Sequence, residues 1–234
     1  MLGELAEALA DAAADPASRV VLLGGAGDHF CAGADLGEIG EASGPDGFGY
    51  GRALEQVLSA VSEHPLPVVA AVRGAALGAG CQLLTACDLA VAAADARIGI
   101  PSSRLGIVLA FESIERLVLA VGPRRAADLL LTGREVSGEE ASAWGLVTEA
   151  VGPERVTESA EELAETVASA APLSVRGSKH GIRAVLRKLS IDRESEGYRI
   201  TEFDMMAADA LASEDLREGL RARGERRPPE FRGT

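Results

Sequence analysis

The sequence predicts an α/β fold in one globular domain that ends in a helical region. Two short apolar runs, Val20 to Leu23 and Pro67 to Val72, each end in a glycine turn, as buried strands do. A second glycine-rich turn and a helical stretch to Ala86 follow the second run. The alternation of strand, glycine turn and helix therefore favours a sheet with helices packed on its faces.

The other elements follow from local patterns. Leucines and alanines at helical spacing before Pro16 predict an opening amphipathic helix, and a third strand is predicted to start at Asp88. Between Glu41 and Gly51, glycine, serine, proline and aspartate predict a loop. Later helices are predicted at 124–131, 137–144 and 154–170, with a last short strand at 145–147.

The chain is expected to divide into two regions. Residues 1–173 form the predicted α/β core, and residues 174–234 form a C-terminal region that is helical up to Pro228 and Pro229. Ser137 is expected to cap the helix that it precedes, with Glu140 at the capping-box position. No linker rich in proline, glycine and serine is long enough to separate further domains.

Charge and hydropathy limit the partners. The 234 residues carry a formal net charge of −13 at pH 7, which disfavours nucleic acid and anionic membranes because both attract cationic surfaces. The first residues lack the basic segment and cleavage site of a signal peptide, and no apolar run reaches bilayer length. We therefore expect a cytoplasmic protein that binds a small molecule and contacts neither nucleic acid nor membrane.

Three cysteines, Cys31, Cys81 and Cys87, lie in apolar or glycine- and alanine-rich segments. They show neither CxxC nor Cys/His ligand spacing. Buried free thiols in a reducing compartment are therefore expected, rather than disulfides or metal ligands. The sequence predicts no metal site and no permanently bound cofactor.

Two segments carry the chemical information, Phe30 to Asp35 and Gly78 to Cys81. Each follows a predicted buried strand and is built from small residues, which let a ligand approach the main chain closely. Two N–H groups that converge from separate turns can bind a polarised carbonyl oxygen as an oxyanion hole. Tight packing of helix against strand explains a single glycine turn at least equally well, so neither segment is decisive alone.

Together with the segments that follow them, these turns resemble the crotonase superfamily of enoyl-CoA hydratases and isomerases. The F-x-A-G-A-D-L segment of that family reads Phe30 to Leu36 here, and its G-[AG]-G-x-E-L-x-x-x-C-D-L segment reads Gly78 to Leu89. Matches continue in order at 98–102, 121–126, 141–147, 213–219 and 227–233. The resemblance therefore spans nearly the whole chain.

The resemblance implies a spiral of ββα units that binds an acyl-coenzyme A (acyl-CoA) thioester, in fatty acid metabolism. It also implies assembly as a homotrimer or hexamer. The thioester oxygen would accept hydrogen bonds from the main-chain N–H groups of Ala32 and Ala79, which would form the oxyanion hole. The residues implied to line the CoA site are Ala32, Gly33, Ala34, Asp35, Leu36, Gly78 and Ala79.

Two substitutions set this sequence apart from the hydratases of the family. Those enzymes use two glutamates to add water to the enoyl double bond, and the matching positions here are Gln82 and Ser102. An amide does not titrate and a serine hydroxyl needs an activating base, so neither residue replaces a glutamate. Because a catalytic acid and base act as a unit, most of the hydration step is expected to be lost. The oxyanion hole would survive, because it is made of main chain.

Further departures concern the surroundings of the site. Family members usually begin with a β-hairpin carrying N-R-P and N-A-L motifs, whereas this sequence begins at the following helix, so one CoA-contacting wall is expected to be missing. Where hydratases have a glycine-rich stretch, this chain has the bulkier Leu109 and Phe111, which suggest an alkyl pocket. Glu112 could take over a catalytic role or could simply complement the helix dipole. Arg183 and Arg187 could meet CoA phosphates or be ordinary surface arginines.

Three functions remain open on the sequence alone. The first is an acyl-CoA-binding protein without normal hydratase activity, favoured by the implied oxyanion hole and the missing glutamates. The second is an active isomerase, hydrolase or hydratase with a displaced carboxylate, such as Glu112, Glu38 or Glu41. The third is a degenerate structural subunit. Assays on a panel of acyl-CoAs distinguish the first two, and failure to bind any CoA would favour the third.

Overall fold

The structure, a computed structural model, describes residues 1–35, 48–189 and 197–233. Its helices are α1 (Leu2–Ala14), α2 (Phe48–Ser62), α3 (Ala79–Ala86), α4 (Phe111–Val121), α5 (Pro123–Thr132), α6 (Gly138–Trp144), α7 (Val156–Ser169), α8 (Pro172–Leu189), α9 (Gly197–Ala212) and α10 (Glu214–Gly224). Its strands are β1 (Val21–Gly24), β2 (Val68–Val72), β3 (Ala75–Leu77), β4 (Leu89–Ala93), β5 (Arg97–Gly99), β6 (Glu135–Val136) and β7 (Glu149–Val151). Two 3₁₀ turns span Pro101–Arg104 and Pro153–Arg155.

The larger sheet is parallel throughout and has the strand order β1-β2-β4-β7. Val21 aligns with Val68 in the first pair, and Val69 aligns with Leu89 in the second. All residues of β2 are buried, as expected for a central strand covered on both faces. The α/β class and the three strands predicted from the apolar runs are confirmed.

The smaller sheet continues from the larger one through tight turns. Strand β3 pairs in parallel with β5, and β5 pairs antiparallel with β6. Cys31 adds a single parallel bridge to Ala76 on the other side of β3. Gly74, with a positive φ of 56°, makes the turn between β2 and β3 that moves the chain from one sheet to the other.

The core lies on both faces of the larger sheet. Val69, Val91 and Leu117 are fully buried in the main cluster, which also receives side chains from α4 to α7. Leu58 and Val61 of α2 are fully buried in a second cluster with Leu9 of α1. The apolar spacing of both helices therefore serves burial, as the sequence predicts for amphipathic helices.

The predicted helices after Pro123 are confirmed, and one predicted strand is wrong. Ser137 Oγ accepts a hydrogen bond from the Glu140 amide at 3.1 Å, which is the expected N-cap. Residues 145–147 do not form a strand, because Gly145 ends α6 in a left-handed conformation with φ 79° and the Leu146 amide donates back to the Ala141 carbonyl. The last strand of the larger sheet is β7 instead, two residues later.

The C-terminal region contains the helices α8, α9 and α10, and its described residues 225–233 are turns and irregular chain. Lys179 fixes α8 to the core: its Nζ lies 2.5 Å from Asp88 Oδ2 and 2.8 Å from the Leu66 carbonyl oxygen. The division of the chain at residue 173 falls within the first turn of α8 and stays a prediction. Among the described residues, no helix combines the length and apolarity needed to cross a membrane.

The three cysteines are free thiols. Cys81 is fully buried in α3, and burial raises the pKa of its thiol to about 12. Burial also raises the pKa of Cys87 to about 12, with a further contribution from the neighbouring Asp88 carboxylate. Both thiols are therefore protonated near neutral pH and are poor nucleophiles.

Candidate functional site

The candidate site lies at one edge of the smaller sheet. The bridge residue Cys31 and the strands β3 and β5 run parallel, so their C-terminal ends meet at the same edge. Ala32 follows the first of these segments, Ala79 follows the second after one glycine, and Ser102 lies shortly beyond the third. Ligands of parallel sheets bind at such edges, which makes this the first place to look for a site.

The amides of Ala32 and Ala79 are the donors predicted to form an oxyanion hole. Their neighbours are bound within the sheet: the Cys31 amide donates to the Ala75 carbonyl at 3.0 Å, and the Gly78 amide donates to the Gly99 carbonyl at 2.9 Å. Ala79 is the first residue of α3, where an amide has no partner within the helix. Within the described part of the chain, neither Ala32 nor Ala79 donates its amide to a main-chain carbonyl.

The small residues of both turns also have a packing role. A Cβ atom on Gly80 would lie 2.1 Å from the Cys31 carbonyl oxygen, and one on Gly33 would lie 3.0 Å from the Leu77 carbonyl oxygen. Gly33 and Gly78 have positive φ angles of 107° and 57°. Residues with a Cβ atom rarely adopt such angles. Close packing of the two turns therefore requires these glycines, and the same packing brings Ala32 and Ala79 onto adjacent segments.

The rest of the predicted CoA-lining segment is only partly described. Gly33, Ala34 and Asp35 continue as irregular chain after the Cys31 bridge. Leu36 lies outside the described residues, as do Glu38 and Glu41. Which atoms of this segment line a CoA site stays a prediction.

Gln82 belongs to a buried polar network that the sequence did not predict. Its Oε1 lies 2.7 Å from Ser113 Oγ, in the first turn of α4. Ser113 Oγ also forms a short hydrogen bond with Glu55 of α2, and Arg116 Nη2 lies 2.5 Å from the second oxygen of Glu55. Ser113 is 1% exposed and Gln82 is 9% exposed, whereas the side chains of Glu55 and Arg116 are 16% and 18% exposed, so the network is mostly buried. It joins the helices α2, α3 and α4.

Ser102 lies on a different element from this network. It is half-buried in the 3₁₀ turn after β5, and its carbonyl accepts the amides of Leu105 and Ile107 at 3.0 Å each. Within the described contacts, no hydrogen bond joins Ser102 to Gln82. The structure thus places Gln82 on α3 and Ser102 on the 3₁₀ turn after β5, so the two side chains are held by separate elements.

Glu112 is half-buried in the first turn of α4, directly before Ser113. An acid at this place complements the positive end of the helix dipole. Leu109, predicted to line an alkyl pocket, is 7% exposed and packs into the main core. A catalytic role for Glu112 and an alkyl pocket both stay predictions.

The two candidate phosphate-binding arginines of α8 have protein partners. Arg183 Nη2 donates to the His64 carbonyl oxygen at 2.6 Å, and Arg187 forms a short ion pair with Glu63. A cavity of about 610 Å³ lies elsewhere, between α10 and the chain that follows it, and contains none of the predicted site residues. Within the described ranges, no group of three His, Cys, Asp or Glu side chains could hold a metal ion.

The sequence contained only weak signals for the network. Glu55 interrupts an apolar helix next to Leu54, and Ser113 and Arg116 are three residues apart on one face of α4. A charged residue beside an apolar stripe usually reaches solvent, so no local pattern paired Glu55 with a residue 61 positions away.

Comparisons with known proteins agree with the fold and with the resemblance. The family model described as "Enoyl-CoA hydratase/isomerase" matches residues 1–234. A crystal structure of an enoyl-CoA hydratase/isomerase from Pseudoalteromonas atlantica superposes with a TM-score of 0.81 at 35% sequence identity, covering 99% of this chain and 88% of that one. The crotonase-like α/β fold predicted from the sequence is therefore confirmed.

Relatives with curated names are similar over most of their length. A candidate enoyl-CoA hydratase from Thermus thermophilus is 40% identical over 232 residues, covering 97% of this chain and 88% of the relative. A carnitinyl-CoA dehydratase from Proteus mirabilis is 36% identical over 223 residues, covering 94% and 83%. The chain belongs to the enoyl-CoA hydratase/isomerase family.

Proposed function

We propose that this protein binds an acyl-CoA thioester and does not hydrate enoyl-CoA at a normal rate. In this proposal, the N–H groups of Ala32 and Ala79 donate to the thioester oxygen. The residues around the CoA are Ala32, Gly33, Ala34, Asp35, Leu36, Gly78 and Ala79. Fatty acid metabolism is the proposed setting.

The observation that carries the proposal is the pair of amides at the sheet edge. The Cys31 bridge to Ala76 places Ala32 beside the start of α3, where Ala79 is the first residue. Main-chain donors of this kind are preorganised, because the strands and the helix hold them before any ligand arrives. The family acts on CoA thioesters, which supplies the ligand class.

The loss of hydration is proposed from residue chemistry. The Gln82 amide does not titrate near neutral pH and so cannot serve as a catalytic acid or base. Ser102 has no hydrogen-bonded base among the described contacts. Recognition of a thioester by main chain requires neither residue. Binding without hydration is therefore the function that these residues support best.

Replacing Ala79 with proline tests the proposed donor directly. Proline is well tolerated at the first position of a helix, where it removes the amide hydrogen and puts its ring Cδ in that place. We expect Ala79→Pro to weaken the binding of butyryl-CoA about ten-fold, the effect of losing one hydrogen bond to a polarised carbonyl. Isothermal titration calorimetry measures the affinities, and circular dichroism checks the fold. The matched variant Ala79→Ser keeps the amide and is expected to bind within about three-fold of the unmodified protein; equal affinities in both variants would remove Ala79 from the site.

Self-association is part of the proposal and is supported by the unusual polarity of α8. Its inward face carries Lys179 and Arg183, whereas its outward face carries exposed apolar side chains. These are Ile182, Val185 and Leu189, which lie three and four residues apart, with exposures between 57% and 65%. An apolar face of this kind is typical of a protein interface.

A cytoplasmic location is also part of the proposal, supported by the three free thiols.

We expect a homotrimer or hexamer at micromolar concentration, measured by light scattering coupled to size-exclusion chromatography. The change Ile182→Glu with Val185→Glu should shift the protein towards monomer, because charges would have to be buried in the interface. The control Lys188→Glu changes an exposed charge on the same helix. A monomer at all concentrations in the unmodified protein would contradict the assembly.

A further inference from the structure

The turn that carries Ser102 packs against α10 through main chain. A Cβ atom on Gly219 of α10 would lie 2.7 Å from the Leu105 carbonyl oxygen, and one on Gly106 would lie 2.9 Å from the Leu216 amide nitrogen. At these distances no side chain fits between the helix and the turn. The Leu105 amide donates to the Ser102 carbonyl at 3.0 Å, so the contact with α10 reaches Ser102 through one hydrogen bond.

The chain that follows α10 holds this helix from a second direction. Residues 227–233, which we call the strap, bind two carboxylates of α10. Glu218 Oε1 accepts hydrogen bonds from Arg227 Nη1 at 2.5 Å and from the Glu230 amide at 3.0 Å. Asp215 accepts two further strap amides, at 2.7 and 2.8 Å. The helix is therefore held between the Ser102 turn and the strap.

The hold of the strap on α10 is polar rather than apolar. The Glu218 side chain is 9% exposed, and its hydrogen bonds with Arg227 and with the Glu230 amide hold the pKa of its carboxyl well below the usual range. Hydrogen bonds to a carboxylate are stronger than those between neutral groups. The buried α10 side chains Leu216 and Ala222 belong to neither of the two apolar clusters of the core. Loosening the strap should therefore free α10 without opening the core.

The Ser102 turn borders the proposed thioester site. Strand β3 lies between the Cys31 bridge and β5, so Ala32 and the turn flank Ala79 from opposite sides. The Gly78 amide donates to the Gly99 carbonyl at 2.9 Å, two residues before the turn begins. A ligand whose CoA part lies on the Ala32 side therefore extends its acyl group towards the turn.

We propose that α10 is the support for the acyl side of the site, with Gly219 and Glu218 as positioning residues that set how closely the Ser102 turn approaches a ligand at Ala79. This inference rests on the proposed thioester binding. No side chain of α10 belongs to the proposed site, yet the preference for an acylated over a free coenzyme depends on this helix. A turn that is already held costs the ligand no ordering on binding, which is why the support raises affinity.

Two alanine substitutions in α10 test the contact with the turn. Gly219→Ala puts a Cβ atom 2.7 Å from the Leu105 carbonyl oxygen and must displace the turn, whereas Gly224→Ala on the same helix meets nothing within 4 Å. Calorimetry measures the affinities for butyryl-CoA and for free CoA. We expect Gly219→Ala to weaken butyryl-CoA binding about three- to ten-fold and CoA binding less than about two-fold. Gly224→Ala should leave both affinities unchanged.

Variants of Glu218 test the strap, with hydrogen exchange measured by mass spectrometry to locate the effect. Glu218→Ala should speed exchange of the Leu105 and Ile107 amides, leave exchange in β2 unchanged, and weaken butyryl-CoA binding as Gly219→Ala does. Glu218→Gln keeps an acceptor oxygen for the Glu230 amide and is expected to restore most of the affinity. The control Glu214→Ala removes an exposed carboxylate of the same helix and should change neither measurement.

The outcomes separate this inference from the proposed function. If Gly219→Ala binds butyryl-CoA as tightly as Gly224→Ala does, the inference is wrong and thioester binding stands. Equal losses for butyryl-CoA and free CoA would also overturn it, because the helix would then serve general stability. Should Gly219→Ala fail to fold by circular dichroism, Glu218→Ala decides by the same comparison of the two ligands. If the unmodified protein binds no thioester, the proposed function fails, and the inference fails with it.

Discussion

Purified protein is expected to hydrate crotonyl-CoA at about a thousandth or less of the rate of a family member with glutamates at the positions of Gln82 and Ser102. A positioned acid or base contributes roughly 10²–10⁴-fold, and the two act as a unit. The proposed oxyanion hole would remain and would supply about 10²–10³-fold, far below the 10⁶-fold or more of a complete enzyme. The loss of absorbance of the enoyl thioester measures the rate, and calorimetry checks that crotonyl-CoA and butyryl-CoA bind with similar affinity.

Restoring the carboxylates should recover part of the activity. The double change Gln82→Glu with Ser102→Glu is expected to raise the hydration rate measurably, and each single change should do less. The single variants are the controls, because they introduce the same charge without completing the acid–base pair.

The network around Ser113 limits how much the double change can recover. A carboxylate at position 82 would face Glu55 across one hydroxyl, and two carboxylates cannot both use one serine proton. Repulsion between them would raise the pKa of the introduced acid and turn it from the ligand. Adding Glu55→Gln to the double change is therefore expected to raise the rate further. Equal rates in the double and triple variants would show that the network does not reach the reaction.

Displaced catalysis predicts the opposite result. Robust hydration by the unmodified protein, abolished by Glu112→Gln or by Glu55→Gln, would assign the chemistry to that carboxylate. Both residues adjoin Ser113, one in the chain and one through a hydrogen bond, so the two variants distinguish them.

Much of the fold could be predicted from the sequence because its strongest signals are local. Continuous apolar runs ended by glycine predicted β1 and β2, and the cap at Ser137 predicted the start of α6. The strand predicted at 145–147 failed for a local reason too, because apolar residues after a helix-ending glycine are buried as readily in a turn as in a strand. Hydropathy alone does not separate these two cases.

The sequence signals for the candidate site are all local or rest on motif spacing, and the site stays a prediction. Small residues at two turns marked Ala32 and Ala79, and motif spacing marked Gln82 and Ser102. The environment of Gln82 depends on α2, α3 and α4 meeting in space, which brings Glu55 next to Arg116. The same holds for Lys179, which is 6% exposed because α8 packs it against Asp88, a residue distant in the sequence.

Lys179→Met is expected to lower the free energy of unfolding by about 2–4 kcal/mol at neutral pH, measured by urea denaturation. The ammonium group bonds Asp88 Oδ2 at 2.5 Å and the Leu66 carbonyl at 2.8 Å, and methionine can replace neither contact. Asp88 also accepts the Val68 amide at 2.7 Å, so it cannot turn to solvent without breaking a bond at the start of β2. A partly exposed carboxylate and a main-chain oxygen would be left without their cation.

The pH dependence of this loss separates the ammonium group from simple packing. Burial lowers the pKa of Lys179, partly opposed by Asp88, so between this lowered pKa and the ordinary value near 10.5 the unfolded chain holds more protons than the folded one. The free energy of unfolding contributed by Lys179 therefore rises with pH in that window and is constant below it. The difference between the unmodified protein and Lys179→Met should widen accordingly. The control Lys188→Met, an exposed lysine on the same helix, is expected to change stability by less than about 0.5 kcal/mol at every pH. A Lys179→Met protein as stable as the control would mean that α8 is held to the core by its other contacts.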